Sequence, residues 1–182
     1  MQALDLLLHR QSNPHLTEPA PNSDQLAQIL AAGMRVPDHG ALQPWHFTVI
    51  QEQGLQKLAD IFVNARKLEH AEQSKIDKAA SMSFRAPLII MITTNYQAHD
   101  KIPEKEQLIT AGCCAHAMQM AATVLGYGAM WRTGDLSRNA DVKQALAIDS
   151  KQDIVGFLYI GTEKKSLAVK PNKALDGFVS YL

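Results

Sequence analysis

Two polar clusters in this chain carry side chains that can do chemistry. The first is Arg10-Gln11-Ser12. The second is Pro37-Asp38-His39-Gly40-Ala41-Leu42-Gln43-Pro44-Trp45-His46-Phe47, a proline-framed turn running straight into the apolar stretch Phe47-Thr48-Val49-Ile50. A turn that only reverses the chain has no need of so many hydrogen-bonding groups set against an aromatic pair. Arg10, Arg35 and Arg132 supply fixed positive charge, and a guanidinium grips an anionic oxygen pair through two parallel charge-assisted bonds. Trp131 and Thr133 flank Arg132. The amides, hydroxyl and imidazole of Gln11, Gln43, Ser12 and His39 suit the polar rim of a flat heteroaromatic ring. The residue types therefore point to an anionic aromatic ligand, and a flavin has that form.

Other chemistries find less support. The chain has seven histidines, but no His-x3-His or Cys-x2-Cys spacing that would make a zinc site. Cys113 and His116 lie one helical turn apart in an apolar stretch with no third ligand nearby, and read as core residues. Nothing beside Cys113 would depress a thiol pKa. No Gly-x-Ser-x-Gly elbow is present. Gly126-Tyr127-Gly128 follows a helix where a dinucleotide fingerprint would precede one. No metal ligand and no side-chain acid, base or nucleophile is assigned.

Composition sets the frame for these clusters. A chain of 182 residues is expected to be one domain, spanning 1–182, large enough to bury a real core. Lys+Arg and Asp+Glu are 18 each. Zero net charge argues against nucleic acid as a partner and makes any cationic site a local one. The two cysteines are adjacent and cannot staple the fold, which fits a reducing, cytoplasmic setting. The early acid Asp5 and the short apolar run Leu6 to Leu8 do not read as a secretory signal. Gln107 to Trp131 contains no Asp, Glu, Lys or Arg, which approaches the ~20 residues of a membrane span. His116, Gln119, Thr110, Thr123, three glycines and many alanines make it instead a helix buried in protein, so no membrane partner is expected.

Periodicity and punctuation give the elements that must position the clusters. Gln2 to Arg10 reads as a short helix with Leu4, Leu7 and Leu8 on one side. Asn22 or Ser23 caps a helix from Asp24 to Met34, with Leu26, Ile29, Leu30 and Gly33 inward, ended by Pro37. Phe47 to Gln51 is a strand, and helices follow over Leu55 to Lys67 and Glu69 to Ser81. Leu88 to Thr94 is continuously apolar and reads as a central strand covered on both faces. A long helix runs from Glu104 to Leu125 and ends at Gly126. Gly128 to Gly134 reads as a short strand plus turn, then a helix over Asn139 to Ala147. A strand over Ile154 to Ile160 is ended by Gly161. The tail from Thr162 is loop-like until the apolar Phe178 to Leu182. The fold class is α+β, one mixed central sheet flanked by helices. The 104–125 helix is apolar nearly all round, and in so small a domain a second subunit is the simplest cover for one of its faces. A homodimer with this helix at or near the two-fold is expected.

In order and spacing these motifs resemble the FMN-dependent nitroreductases over nearly the whole chain. The matching features are Arg10-Gln11-Ser12 after a short helix, Pro37 with Gln43-Pro44-Trp45-His46-Phe47, and Ala86-Pro87 entering the strand Leu88-Ile89-Ile90. They continue with the alanine-rich helix leading to Leu125-Gly126-Tyr127-Gly128, and the strand Val155 to Gly161. The length and the Pro-Asp-His turn look like the small branch of that family. The resemblance implies an entwined homodimer of nitroreductase-like fold with FMN sites at its interface and NAD(P)H as hydride donor. It implies an oxidoreductase that passes hydride through flavin N5 in ping-pong fashion to a small nitroaromatic or quinone-like acceptor. The alternative is a flavin-binding dimer with non-reductase chemistry or a regulatory role.

By the same resemblance, Arg10 and Arg132 hold the FMN phosphate, and Ser12 with Gln11 contacts the ribityl and pyrimidine side. Arg35 and His39 complete the pocket, His39 reaching the flavin of the other subunit. Trp131 and Thr133 border the cofactor. The segment Ala121, Ala122, Thr123, Val124, Leu125 and Gly126 is where a nicotinamide contact falls. Two departures stand out. Relatives often carry a basic residue two positions after the serine, where this chain has Pro14, with His15 the nearest candidate. They often carry asparagine two residues before Gln43, where this chain has Ala41. Loss of a cation near flavin N1 lowers the expected reduction potential unless Arg35 or His39 compensates.

Overall fold

A computed structural model describes residues 3–171 and 174–182. Helix α1 is Ala3–His9; the expected start at Gln2 lies outside the described residues. A two-residue strand β1, Leu16–Thr17, precedes α2, Ser23–Gly33. Asn22 caps α2 through a reciprocal box: its side chain accepts from Gln25 N at 2.9 Å, and Gln25 Oε1 accepts from Asn22 N at 3.0 Å. β2 is Trp45–Gln51, α3 Gln53–Leu68 and α4 Gln73–Met82. The second of these helices starts later than the periodicity suggests. His70 takes a left-handed φ of 51° and Ala71 N closes back on Arg66 O, a helix-ending turn that occupies the expected first turn. β3, Leu88–Thr94, α5, Glu104–Val124, and β4, Gly128–Arg132, follow expectation closely. α6 is Ala140–Ala145, capped by Asn139. β5 is Ile154–Glu163.

β5 is the centre of the sheet. It pairs with β3 through residues 154–160 and with β4 through residues 157–161, so those strands lie on its opposite edges, with β2 beyond β3. β1 pairs with its last residues. Every pairing among the described residues is antiparallel, which corrects the expected mixed sheet. β3–α5–β4 is a crossover of the kind that makes parallel neighbours, but β5 is inserted between β3 and β4 and removes the parallel pair. β2 and β3 are antiparallel because two helices, α3 and α4, bring the chain back to the end it left.

The pleat splits the core into two. Leu88, Ile90 and Ile92 of β3, with Leu158 and Ile160 of β5, pack under α2 and α5. Ile89 and Met91, with Phe157 and Tyr159, pack under α3, α4 and α6. Every residue of β3 is buried, as its unbroken apolar run requires.

Gly161 does not end β5, as the sequence reading has it; the strand continues to Glu163. A side chain at 161 would sit 2.7 Å from Pro87 Cδ and 2.8 Å from Thr17 O, so the glycine serves close approach of β1 and the β3 entry. The tail beyond β5 has no helix or strand among its described residues, and Phe178 and Tyr181 are exposed. Gly161→Ala is expected to cost about 2 kcal/mol and lower Tm by several degrees in thermal denaturation. A melting curve matching wild type would show that β1 and Pro87 yield freely.

Candidate functional site

Helix α5 organises the polar clusters. Gln119, buried near its C-terminal end, points its Nε2 to Ser12 Oγ at 3.3 Å and to Ala129 O of β4 at 3.2 Å. Asn13 N donates to the same Ala129 carbonyl at 3.1 Å. The fully buried Asn13 side chain donates to Lys165 O at 2.8 Å and accepts from His15 N, and Gln11 Nε2 donates to Ala168 O at 2.9 Å. The Arg10–Asn13 segment is thereby sewn to α5, to β4 and to the chain after β5. A cavity of about 210 Å³ opens here, lined by Arg10, Gln11, Thr123, Gly128, Ala129 and Leu167 among others. Arg10 Nη1 and Gln11 Oε1 are buried with no protein partner. An orphaned donor beside an orphaned acceptor marks a place shaped for a ligand carrying both.

The second cluster stands at the other end of α5. α2 runs antiparallel to α5: Tyr127 Oη donates to Gln25 Oε1 at 2.7 Å, and Gly33 leaves room for Met118 and Phe47. Arg35 follows the C-cap residue Met34, is exposed and makes no ion pair among the described residues. The turn beyond it is strained. Gly40 has φ 72°, but Ala41 at 53° and Gln43 at 47° are also left-handed, a conformation unfavourable for residues with a Cβ. Asp38 Oδ2 holds the turn by accepting from Gln43 N at 2.8 Å, and Gly40 packs close on Ile102. His39 Nδ1 lies 2.9 Å from Glu106 Oε2 in the first turn of α5. Strain of this sort, stabilised by its surroundings, collects at functional sites.

Arg132 is placed apart from Arg10. Ala129 faces α5, so Arg132 emerges on the opposite face of β4, 5.4 Å over the Tyr159 ring. Burial, and then the charge of Arg85, pull its guanidinium below the ordinary range, and its Nε is buried without a partner. The two arginines do not converge within one chain. Trp131 is half-buried on the α5 side, donates from Nε1 to Val155 O at 3.3 Å and lies against Gly156, where a Cβ would collide with the indole. Thr133 is exposed at the end of the strand. Of the expected nicotinamide segment, Ala122 is buried in the core. Thr123 lines the Arg10 cavity and donates to Gln119 O, Val124 is exposed, and Ala121 and Leu125 pack on the core. Gly126 closes the helix with φ 87°.

Sequence reading missed Gln119 as a site residue; its one signal was an amide inside an apolar helix. It also missed Arg66, which donates to Glu69 at 2.7 Å and Asp135 at 2.6 Å and so fixes the turn after Thr133 to α3, while Asn139 also donates to Glu69. His116, read as a core residue, is exposed on α5. Burial pushes the Cys114 thiol up to about 12, which leaves it inert as a nucleophile.

Two outcomes follow from this geometry. Ala41→Asn places a residue that tolerates a left-handed conformation in the strained turn, and is expected to raise stability by about 0.5–1 kcal/mol in urea titration; a loss would show that Ala41 is not strained. The hydrogen bond from Arg66 holds the Asp135 carboxylate below its usual range against opposing burial. A depressed folded pKa contributes stability above the unfolded pKa, and that contribution is lost as pH falls through the folded one. Asp135→Asn is therefore expected to lose about 0.2–1 kcal/mol near neutral pH, as for an exposed pair, with the gap to wild type closing progressively below about pH 4. A gap independent of pH would contradict the ion pair.

Comparison with known proteins gives the family and the fold. Residues 7–162 match the family model described as the nitroreductase family. A protein of Escherichia coli K12, YdjA, provisionally named an NAD(P)H nitroreductase, is 42% identical over 172 residues, 94% of each chain. A Haemophilus influenzae protein provisionally named in the same way is 34% identical over 185 residues, covering 100% of both. The crystal structure of a nitroreductase-like family protein from Bacillus cereus superposes with a TM-score of 0.87 at 21% identity, over 100% of this chain and 96% of that one. A Bacteroides fragilis nitroreductase with bound FMN gives 0.75 at 18% identity, over 98% and 97%. The chain belongs to the nitroreductase family.

Proposed function

We propose that this protein is an FMN-dependent NAD(P)H oxidoreductase that reduces nitroaromatic or quinone-like acceptors, and that it works as a homodimer. One observation carries the reading: the two halves of the site lie at opposite ends of α5, with an exposed stripe between them. Ile109, His116 and Val124 are exposed along that stripe, and Gly112, Cys113 and Met120 are half-exposed. Ser12 is held at Gln119 and His39 at Glu106, about 20 Å apart along the helix axis. No single chain brings both to one ring. Two α5 helices packed antiparallel across a two-fold would set the Ser12 end of one against the His39 end of the other. α1 has no buried residue and shows Leu4, Leu7 and Leu8 to solvent. With the exposed aromatic tail, it gives a second chain ample apolar surface to cover.

The residues fit FMN. The orphaned Arg10 Nη1 and Gln11 Oε1 suit its phosphate and ribityl hydroxyls, and Ser12 suits the pyrimidine edge. Trp131 and Thr133 border the ring, and the partner subunit's Arg35 and His39 complete the pocket. Arg132 adds positive potential from the other face of β4. Nicotinamide contact falls on Thr123, Val124 and Gly126 rather than on the buried Ala122. Bound FMN supplies the hydride chemistry, from NAD(P)H to acceptor through N5 in a ping-pong sequence, so the protein's task is binding, orientation and electrostatics. The naming of the E. coli and H. influenzae relatives and the FMN in the B. fragilis structure support the reading.

The test is an absorption spectrum of purified protein, then anaerobic NADH or NADPH. Bands of oxidised flavin that bleach on addition are expected. Flavin that stays oxidised would favour a binding or regulatory role, and failure to take up FMN would end the proposal. Ile109→Arg on the stripe is expected to give monomers by sedimentation and to weaken FMN binding at least tenfold. A monomer that binds FMN as tightly as wild type would contradict the shared site.

A further inference from the structure

We propose that Gln119 is a positioning residue that fixes Ser12 as a hydrogen-bond donor to the bound cofactor. The inference rests on the FMN reading above and goes further, to a residue on no segment that reading drew on for cofactor contacts. Gln119 is only 4% exposed, near the C-terminal end of α5 and among the buried Ala115, Met118 and Ala122. Its amide nitrogen carries two N–H groups, and both are used: one reaches Ser12 Oγ at 3.3 Å, the other Ala129 O at 3.2 Å. A serine hydroxyl has one hydrogen and two lone pairs. With the amide engaging a lone pair, the Ser12 hydrogen is turned away from Gln119. The Ala129 carbonyl already takes bonds from Gln119 and from Asn13 N. Ser12 is thus left with a free donor on the side away from α5.

A donor of fixed direction matters at this edge. A hydroxyl dipole already aimed outward needs no reorganisation when the cofactor binds. Removing the amide frees Ser12 to turn inward and donate to Ala129 O. A carboxylate at 119 would do more: it would accept the Ser12 hydrogen and reverse the dipole.

The test is a double-mutant cycle on wild type, Gln119→Leu, Ser12→Ala and the double variant, reading FMN affinity by fluorescence titration of apoprotein. Gln119→Leu is expected to weaken FMN about tenfold when Ser12 is present, and less than about twofold in the Ser12→Ala background. Gln119→Glu, near-isosteric, serves the same cycle if the leucine variant does not fold. It is also expected to lower the reduction potential of bound FMN below that of Gln119→Leu, measured by anaerobic dye equilibration. Equal loss in both Ser12 backgrounds would make Gln119 only a structural tie and overturn the inference while leaving the FMN reading intact. Wild-type protein that takes up no FMN would overturn both.

Discussion

The span of α5 is the constraint on which the rest of the structure turns. It is a 21-residue rod with one end fixed by the sheet and the other by a strained turn. At its C-terminal part, Gln119 gathers β4 and the Arg10–Asn13 segment around one carbonyl. At its first turn, Glu106 meets His39. α2, packed antiparallel through Gly33 and Met118, carries the chain from one end to the other. A helix cannot shorten, so these two polar clusters stay apart in any single chain, and the open face between them is where the proposed second copy would pack. The packing that makes the core stable is therefore the same packing that holds the two polar clusters at opposite ends of one helix.

In the proposed function the site binds, and its side chains do no acid or base work. The polar investment goes into backbone control: Asp38 on Gln43 N, Asn13 on Lys165 O, Gln11 on Ala168 O. Two groups are pushed up and out of reactivity, Cys114 by burial and Tyr96 by burial and its bond to Asp153, each to about 12. At the Arg10 cavity an arginine nitrogen and an amide oxygen are left without protein partners. Groups of that kind suit the holding of a cofactor.

Much of this was legible in the sequence because local physics sets it. The unbroken run Leu88 to Thr94 announces a strand covered on both faces, and Asn22 or Ser23 announces the start of α2. The charge-free stretch after Gln107 announces the long helix. What was not legible depends on contacts distant in sequence. Insertion of β5 between β3 and β4 leaves no local trace, so a crossover that reads as mixed is all-antiparallel in fact. Gly161 reads as a stop because a glycine's local preference is visible and its close neighbours, Pro87 and Thr17, are not. The two-residue β1 is too short for any periodicity. Arg10 and Arg132 look equivalent by type, yet alternation along β4 sends Arg132 to the far face. Gln119 was visible as an amide in an apolar helix, but its partners Ser12 and Ala129 come from two other segments.

The most direct measurement is FMN stoichiometry in mixed dimers. Arg10→Ala would be co-expressed with the double variant Arg35→Ala/His39→Ala under separate tags, and the heterodimer purified. If each site draws Arg10 from one subunit and His39 from the other, one of its two sites has no substitution and the other has all three. The account predicts one FMN per dimer at wild-type affinity, although neither parent homodimer binds at that affinity. If each site were built within one chain, both sites of the heterodimer would be defective, and no wild-type-affinity binding would contradict the account.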